Sequence, residues 1–139
     1  MNKIRSGILK NVVLLVLIII LFVVGTGLLE NHLVQSKTTY RFSPGYITII
    51  SIAFFGGIGV LLGLSANRRT AGALQMDFPR LLLLALPSLI VSLSYVWAYL
   101  RLFDFYPPIY SYIATNPYLV TVSCIILGHS LITGFQRRL

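Results

Sequence analysis

The side chains able to do chemistry are few, and most lie inside apolar runs. His129 sits in a stretch where Ser123, Ser130, Thr133 and Gly134 fall on the same side of a helix. An ionisable group inside a membrane is a functional candidate, because neutral imidazole relays protons or binds metals. Either role needs partners. No carboxylate lies at a comparable depth, and the only other histidine, His32, belongs at the opposite membrane face. His129 is therefore expected as a neutral ring bonded to a serine or a backbone carbonyl of a neighbouring helix. No metal or cofactor is assigned.

A second constellation is Ser88, Ser92, Tyr95 and Tyr99, spaced by four, three and four residues and so on one helical stripe. In hydrocarbon a hydroxyl needs a partner, so the stripe should face another helix or a wet crevice. With Ser123, His129 and Ser130 it forms a candidate polar cavity. The plainer reading is that the serines tie helices together at ~0.6 kcal/mol each, with Tyr99 at the membrane interface. Trp97 points off the stripe, as a lipid anchor would. Glu30 and His32 offer an acid–base pair for an external cation, or simply a solvated helix end worth under ~1 kcal/mol. Cys124 is the only cysteine, so no intramolecular disulfide or multi-cysteine metal site exists. A phosphate-binding Gly-Lys-Ser or Gly-Lys-Thr, H-E-x-x-H, G-x-S-x-G and paired intramembrane carboxylates are all missing. No catalytic, cofactor-binding or metal-binding residue is assigned, and the chain is not expected to be an enzyme.

The elements that must position these residues are spans. Charged residues make up 10% of the 139, apolar ones 57%, and mean hydropathy is +0.88; a soluble domain carries about a quarter charged residues. The expected fold is all-α: one integral-membrane four-helix bundle, with spans near 9–29, 44–64, 80–103 and 117–136. The first resembles a signal peptide with small residues at Gly25 and Gly27. Its length and its continuation through Leu28 and Leu29 favour an uncleaved span. The second carries Ala53, Gly56, Gly59 and Gly63 on one side, the pattern of close helix packing. Ser43–Pro44 and Asn116–Pro117 read as caps with proline at the first helical position, and Asp77 as a cap for the third span. Pro87 predicts a kink over Leu83 to Pro87. Tyr40, Phe42 and Tyr46 form an interfacial aromatic belt. In the tyrosine-rich stretch 104–116, Pro107 and Pro108 stop the third helix, and Ile109 to Ala114 are expected to make a turn or two against the headgroups.

The net charge of +8 comes from basic residues dispersed at the ends of apolar runs, not from a nucleic-acid-binding patch. Lys3, Arg5, Lys10, Arg68, Arg69, Arg80, Arg137 and Arg138 fall on one side; Lys37, Arg41 and Arg101 fall on the other. Basic residues concentrate on the cytoplasmic side, so both termini are expected there, in a plasma membrane. Arg101 is placed to snorkel or to pair with Asp104. Spans two and four share a cap, a proline, a tyrosine and a terminal arginine pair, as a duplicated hairpin would, or as any inward-running helix would. The expected role is a non-catalytic subunit, assembly or regulatory partner. Its partners would be the lipid bilayer and a second copy or other membrane proteins. The alternative is an oligomeric channel or small-solute transporter with a polar stripe on the third and fourth spans.

Overall fold

The computed structural model describes residues 2–66, 73–102, 112 and 116–138. The fold is helical, with three helices long and apolar enough to cross a membrane. Helix α1 runs over Asn2–Thr39 without interruption. Its Leu, Val and Ile residues would make a mediocre helix in water. In hydrocarbon a helix satisfies every backbone group within the segment, which overrides propensity. The sequence places the end of this helix near Leu29, but it continues for ten more residues. Along that extension the hydroxyls find partners on their own helix: Ser36 donates to the Leu33 carbonyl at 2.9 Å, and Thr38 and Thr39 both donate to Gln35, at 2.9 and 2.7 Å. Lys37 sits in the last turn, where the helix dipole favours a cation. Tyr40, left-handed at φ 55°, ends it.

Helix α2 spans Pro44–Ala66. Ser51–Phe55 forms a wide π turn within it. Closing hydrogen bonds over five residues inserts one extra position and rotates the turns before it relative to the turns after it. Helix α3, Phe78–Ser92, has a second π turn at Leu81–Ala85. Pro87 lacks the N–H that would bond Leu83, so the predicted distortion falls where the proline leaves a carbonyl free.

The third apolar segment is not the single helix expected over 80–103. It breaks at Leu93 (φ −88°, ψ 7°) and resumes as a short helix α4, Ser94–Tyr99. The Ser92 hydroxyl and the Leu93 amide both bond the Leu89 carbonyl, at 3.0 and 3.1 Å. Such local side-chain bonds compete with the helical ladder. Helix α4 closes with Arg101 N–H to Ala98 at 3.1 Å and Leu102 N–H to Trp97 at 3.2 Å. This is the Schellman arrangement, with left-handed Arg101 (φ 53°) where glycine is usual. The tyrosine-rich stretch, Asp104 and the Arg68–Arg69 pair lie outside the described residues.

Helix α5, Pro117–Gly134, ends earlier than predicted, because Phe135–Arg138 turns into a strand, β2. It pairs antiparallel with β1, Ala73–Met76, with Leu74 opposite Arg137. The Asp77 N–H extends the ribbon to the Gly134 carbonyl at 2.9 Å. All three predicted N-cap positions precede a proline-containing first turn, yet Ser43, Asp77 and Asn116 make no side-chain cap bond. Proline removes one orphan donor from each first turn, so a cap has less to satisfy.

The helices alternate in direction. Gly25 of α1 meets Phe54, and Leu21 meets Gly57, so α1 and α2 are antiparallel. Gly56, Gly59 and Gly63 of α2 meet Cys124, Ile125 and Ile132 of α5 in ascending order, so these two are parallel. The core is Phe55, Ile58, Val120 and Cys124, with Ile18, Leu21 and Leu29 of α1 packed on it. Phe22 meets Phe55 edge-on at 5.9 Å between ring centres.

Candidate functional site

The tightest part of the molecule is the α2–α5 crossing. Gly59 lies against the Ile125 carbonyl oxygen, and a methyl there would also stand 2.8 Å from the His129 amide nitrogen. Gly128 lies equally close to the Gly56 carbonyl, with the Val60 nitrogen 3.0 Å from any added Cβ. Gly63 faces Ile132, whose Cβ would be 2.9 Å away. Backbone-to-backbone approach of this kind is what small residues permit between helices in lipid. Ala53 is exposed and off the contact. Ala53 is itself part of the π turn, which sets it off the face that Gly56, Gly59 and Gly63 share. Gly128, which supplies the other half of the contact, has no signature in the sequence; the other glycine of its helix, Gly134, is six residues away, a spacing that marks no helical face.

The hydroxyl stripe divides in two. Ser88 and Ser92 are buried, and their hydroxyls donate to carbonyls of their own helix, Leu84 at 2.6 Å and Leu89 at 3.0 Å. On α5, Ser130 is fully buried and donates to Leu127 at 3.0 Å, while Thr133 donates to the His129 carbonyl at 2.8 Å. Each is satisfied along its own helix, so these groups need neither water nor a ligand. Ser123 and His129 are half-buried. Ser94, at the helix break, is the exception: its hydroxyl is buried with no partner among the described residues. Neither sequence spacing nor residue type distinguishes Ser94 from its neighbours. The break at Leu93 is what buries it.

Tyr95 and Tyr99 face elsewhere. They line a crevice of about 450 Å³ with Ala98. Leu33 of α1 forms another wall, and Phe42, Pro44 and Pro117 complete it. The volume falls within the range of small-molecule sites, ~300–1,000 Å³. The Phe42 and Tyr95 rings stand 6.3 Å apart. Behind Phe42, His32 packs on Tyr46 with ring centres 4.7 Å apart. Its Nε2 accepts the Ser43 N–H at 3.4 Å, which places the proton of a neutral ring on Nδ1. His32 therefore ties the end of α1 to the start of α2. Neither the solvated helix end expected for Glu30 and His32 nor the alternative cation site includes this role, because only the α1 extension carries the ring to the α2 entrance. The sequence does mark Phe42 and Tyr46 as belt aromatics and the two prolines as matching helix starts. The convergence of Phe42 and the two prolines on one crevice comes from the parallel packing of α2 and α5.

Among the described residues no three His, Cys, Asp or Glu side chains cluster as a metal site would require. No known family pattern matches the chain, and no characterised protein or solved structure is detectably similar to it.

Proposed function

We propose that this is a small multi-pass protein of the plasma membrane, acting as a non-catalytic subunit, assembly or regulatory partner of other membrane helices. The observation that carries this reading is the state of α1. Only 6% of its most apolar 18-residue window is buried within the chain. Val12, Val13, Leu15, Val16, Ile19, Ile20 and Val23 all stand largely exposed. A helix apolar all round and barely used by its own fold has surface for lipid and for another helix.

The topology supports four crossings with both termini cytoplasmic. Pro44 and Pro117 border one crevice, while β1 and β2 pair beyond the other ends of α2 and α5. The chain leaving the ribbon at Phe78 must return to the crevice end before α5 begins. The two helices on either side of the break, Phe78–Ser92 and Ser94–Tyr99, reach at most ~33 Å end to end at 1.5 Å per residue, against a hydrocarbon thickness of ~30 Å. On this reading Lys3, Arg5, Lys10, Arg80, Arg137 and Arg138, at the ribbon end, lie in the cytoplasm, as the charge bias favours.

Pull-down of tagged protein from mild detergent, with single-molecule photobleaching in nanodiscs, tests the role. A stable second membrane component or a defined oligomer is the expected outcome. Replacing Val12, Val16 and Ile19 together by alanine should remove it without unfolding the α2–α5 pair. A monomer that conducts ions or takes up solute in proteoliposomes would defeat the proposal. The channel or transporter reading draws on the buried Ser88, Ser92 and Ser130, but their hydroxyls are spent on their own helices.

A further inference from the structure

The crevice has a chemical character that the subunit role does not require. Its walls are apolar and aromatic, from Leu33, Phe42, Tyr95, Ala98 and Tyr99. Two arginines flank it in the chain: Arg41 adjoins Phe42, and Arg101 lies two residues past Tyr99. Both are exposed. Lys37 lies on the same end of α1, one turn beyond Leu33, and Glu30 is the only described acid at this end. Among the described residues, Tyr40 and Arg101 are the only non-glycine residues with left-handed φ. In the chain each stands two residues from a wall of the crevice, Tyr40 from Phe42 and Arg101 from Tyr99. Glycine would relieve the backbone at Arg101, so the side chain present there points to a use.

We infer that the crevice holds one molecule of anionic phospholipid, its acyl chain along Leu33, Tyr95 and Ala98 and its phosphate between Arg41 and Arg101. The walls match a hydrocarbon chain, and the aromatic rim matches the depth at which glycerol and headgroup begin. Arginine provides planar, paired donors for phosphate oxygens. A zwitterionic lipid offers the same tail and the same phosphate. It also brings a cation towards a rim where, among the described residues, Lys37, Arg41 and Arg101 outnumber Glu30. The rim therefore selects net negative headgroups. The site rests on the membrane-embedded reading of the chain.

Trp97 is the only tryptophan and, although not itself a wall of the crevice, it adjoins Ala98, so a bromine on a chain held along Ala98 lies near its ring. The protein is reconstituted in vesicles in which either phosphatidylglycerol or phosphatidylcholine carries bromine on its acyl chain. Brominated phosphatidylglycerol is expected to quench Trp97 with at least a threefold preference over brominated phosphatidylcholine. Arg41→Gln with Arg101→Gln should bring that ratio to near one. Arg101→Gly should reduce it as well, although it relaxes the turn. A purely structural Arg101 would leave the ratio unmoved, and Lys10→Gln, at the other end of α1, should also leave it unmoved. Equal quenching by the two lipids, or a preference that survives the double substitution, overturns the site. So does a preference lost equally in Lys10→Gln, which would reflect general charge. Absence of quenching by either lipid would overturn the membrane reading itself.

Discussion

Single residues decide how closely α2 and α5 can approach. At Gly59 and Gly128 the obstacle to a side chain is backbone on the facing helix, which cannot rotate aside. Gly128→Ala is therefore expected to cost about 3 kcal/mol, the upper end for overpacking, read as a lower midpoint in thermal or denaturant unfolding in detergent. Gly45→Ala, with nothing within 4 Å of the added methyl, is the control and should be neutral or slightly stabilising. Arg101→Gly should gain about 1 kcal/mol by relieving the left-handed backbone, in the same assay. Ser88→Ala should cost under ~1 kcal/mol, because its hydroxyl bonds only its own helix. A larger loss would mean that Ser88 bridges to another helix.

At the scale of elements, two π turns and one break shape the packing. The π turn at Leu81–Ala85 is legible from Pro87, since a missing N–H has a fixed position in the chain. The π turn at Ser51–Phe55 has no proline or charge to announce it. It arises where α2 passes from packing on α4 to packing on α5, with α1 against both halves, and it removes Ala53 from the glycine face. The break at Leu93 turns a segment long enough to cross into a 15-residue helix, Phe78–Ser92, and a short one. Leu93 and its neighbours should show faster amide exchange than α5, because a broken ladder opens locally at lower cost. Equal protection across 86–99 would mean a continuous helix instead.

For the whole molecule, the ribbon is the feature that fixes topology. Pairing Ala73–Met76 with Phe135–Arg138 places the connection after α2 and the segment after α5 at one end. In a Cys124→Ala background, Gln75→Cys and Gln136→Cys are register partners. Their Cα spacing in an antiparallel pair, ~4.5–5.5 Å, suits a disulfide. Rapid cross-linking of this pair, and none between Gln75→Cys and Gln35→Cys, is the expected result. Labelling of the same cysteines by a membrane-impermeant thiol reagent should occur only after cells are permeabilised. Labelling in intact cells would reverse the proposed orientation.

The amino-acid sequence determined the solvent. Uncharged runs of spanning length, basic residues at their ends and proline at two helix starts come from hydropathy and backbone chemistry, which are local. Glycines at Gly56, Gly59 and Gly63 likewise announced a close neighbour. Only the tertiary structure decided which neighbour, with Gly128 of α5 as the reciprocal half. It also divided one hydroxyl stripe between two environments, with Ser88 and Ser92 inside and Tyr95 and Tyr99 on a crevice. It moved His32 from a solvated end to the entrance of α2. The physical reason is common to all three. Helical periodicity assigns a residue to a face, but a π turn, a break or an added turn of helix changes where that face points. Those events are settled by contacts between elements far apart in the chain.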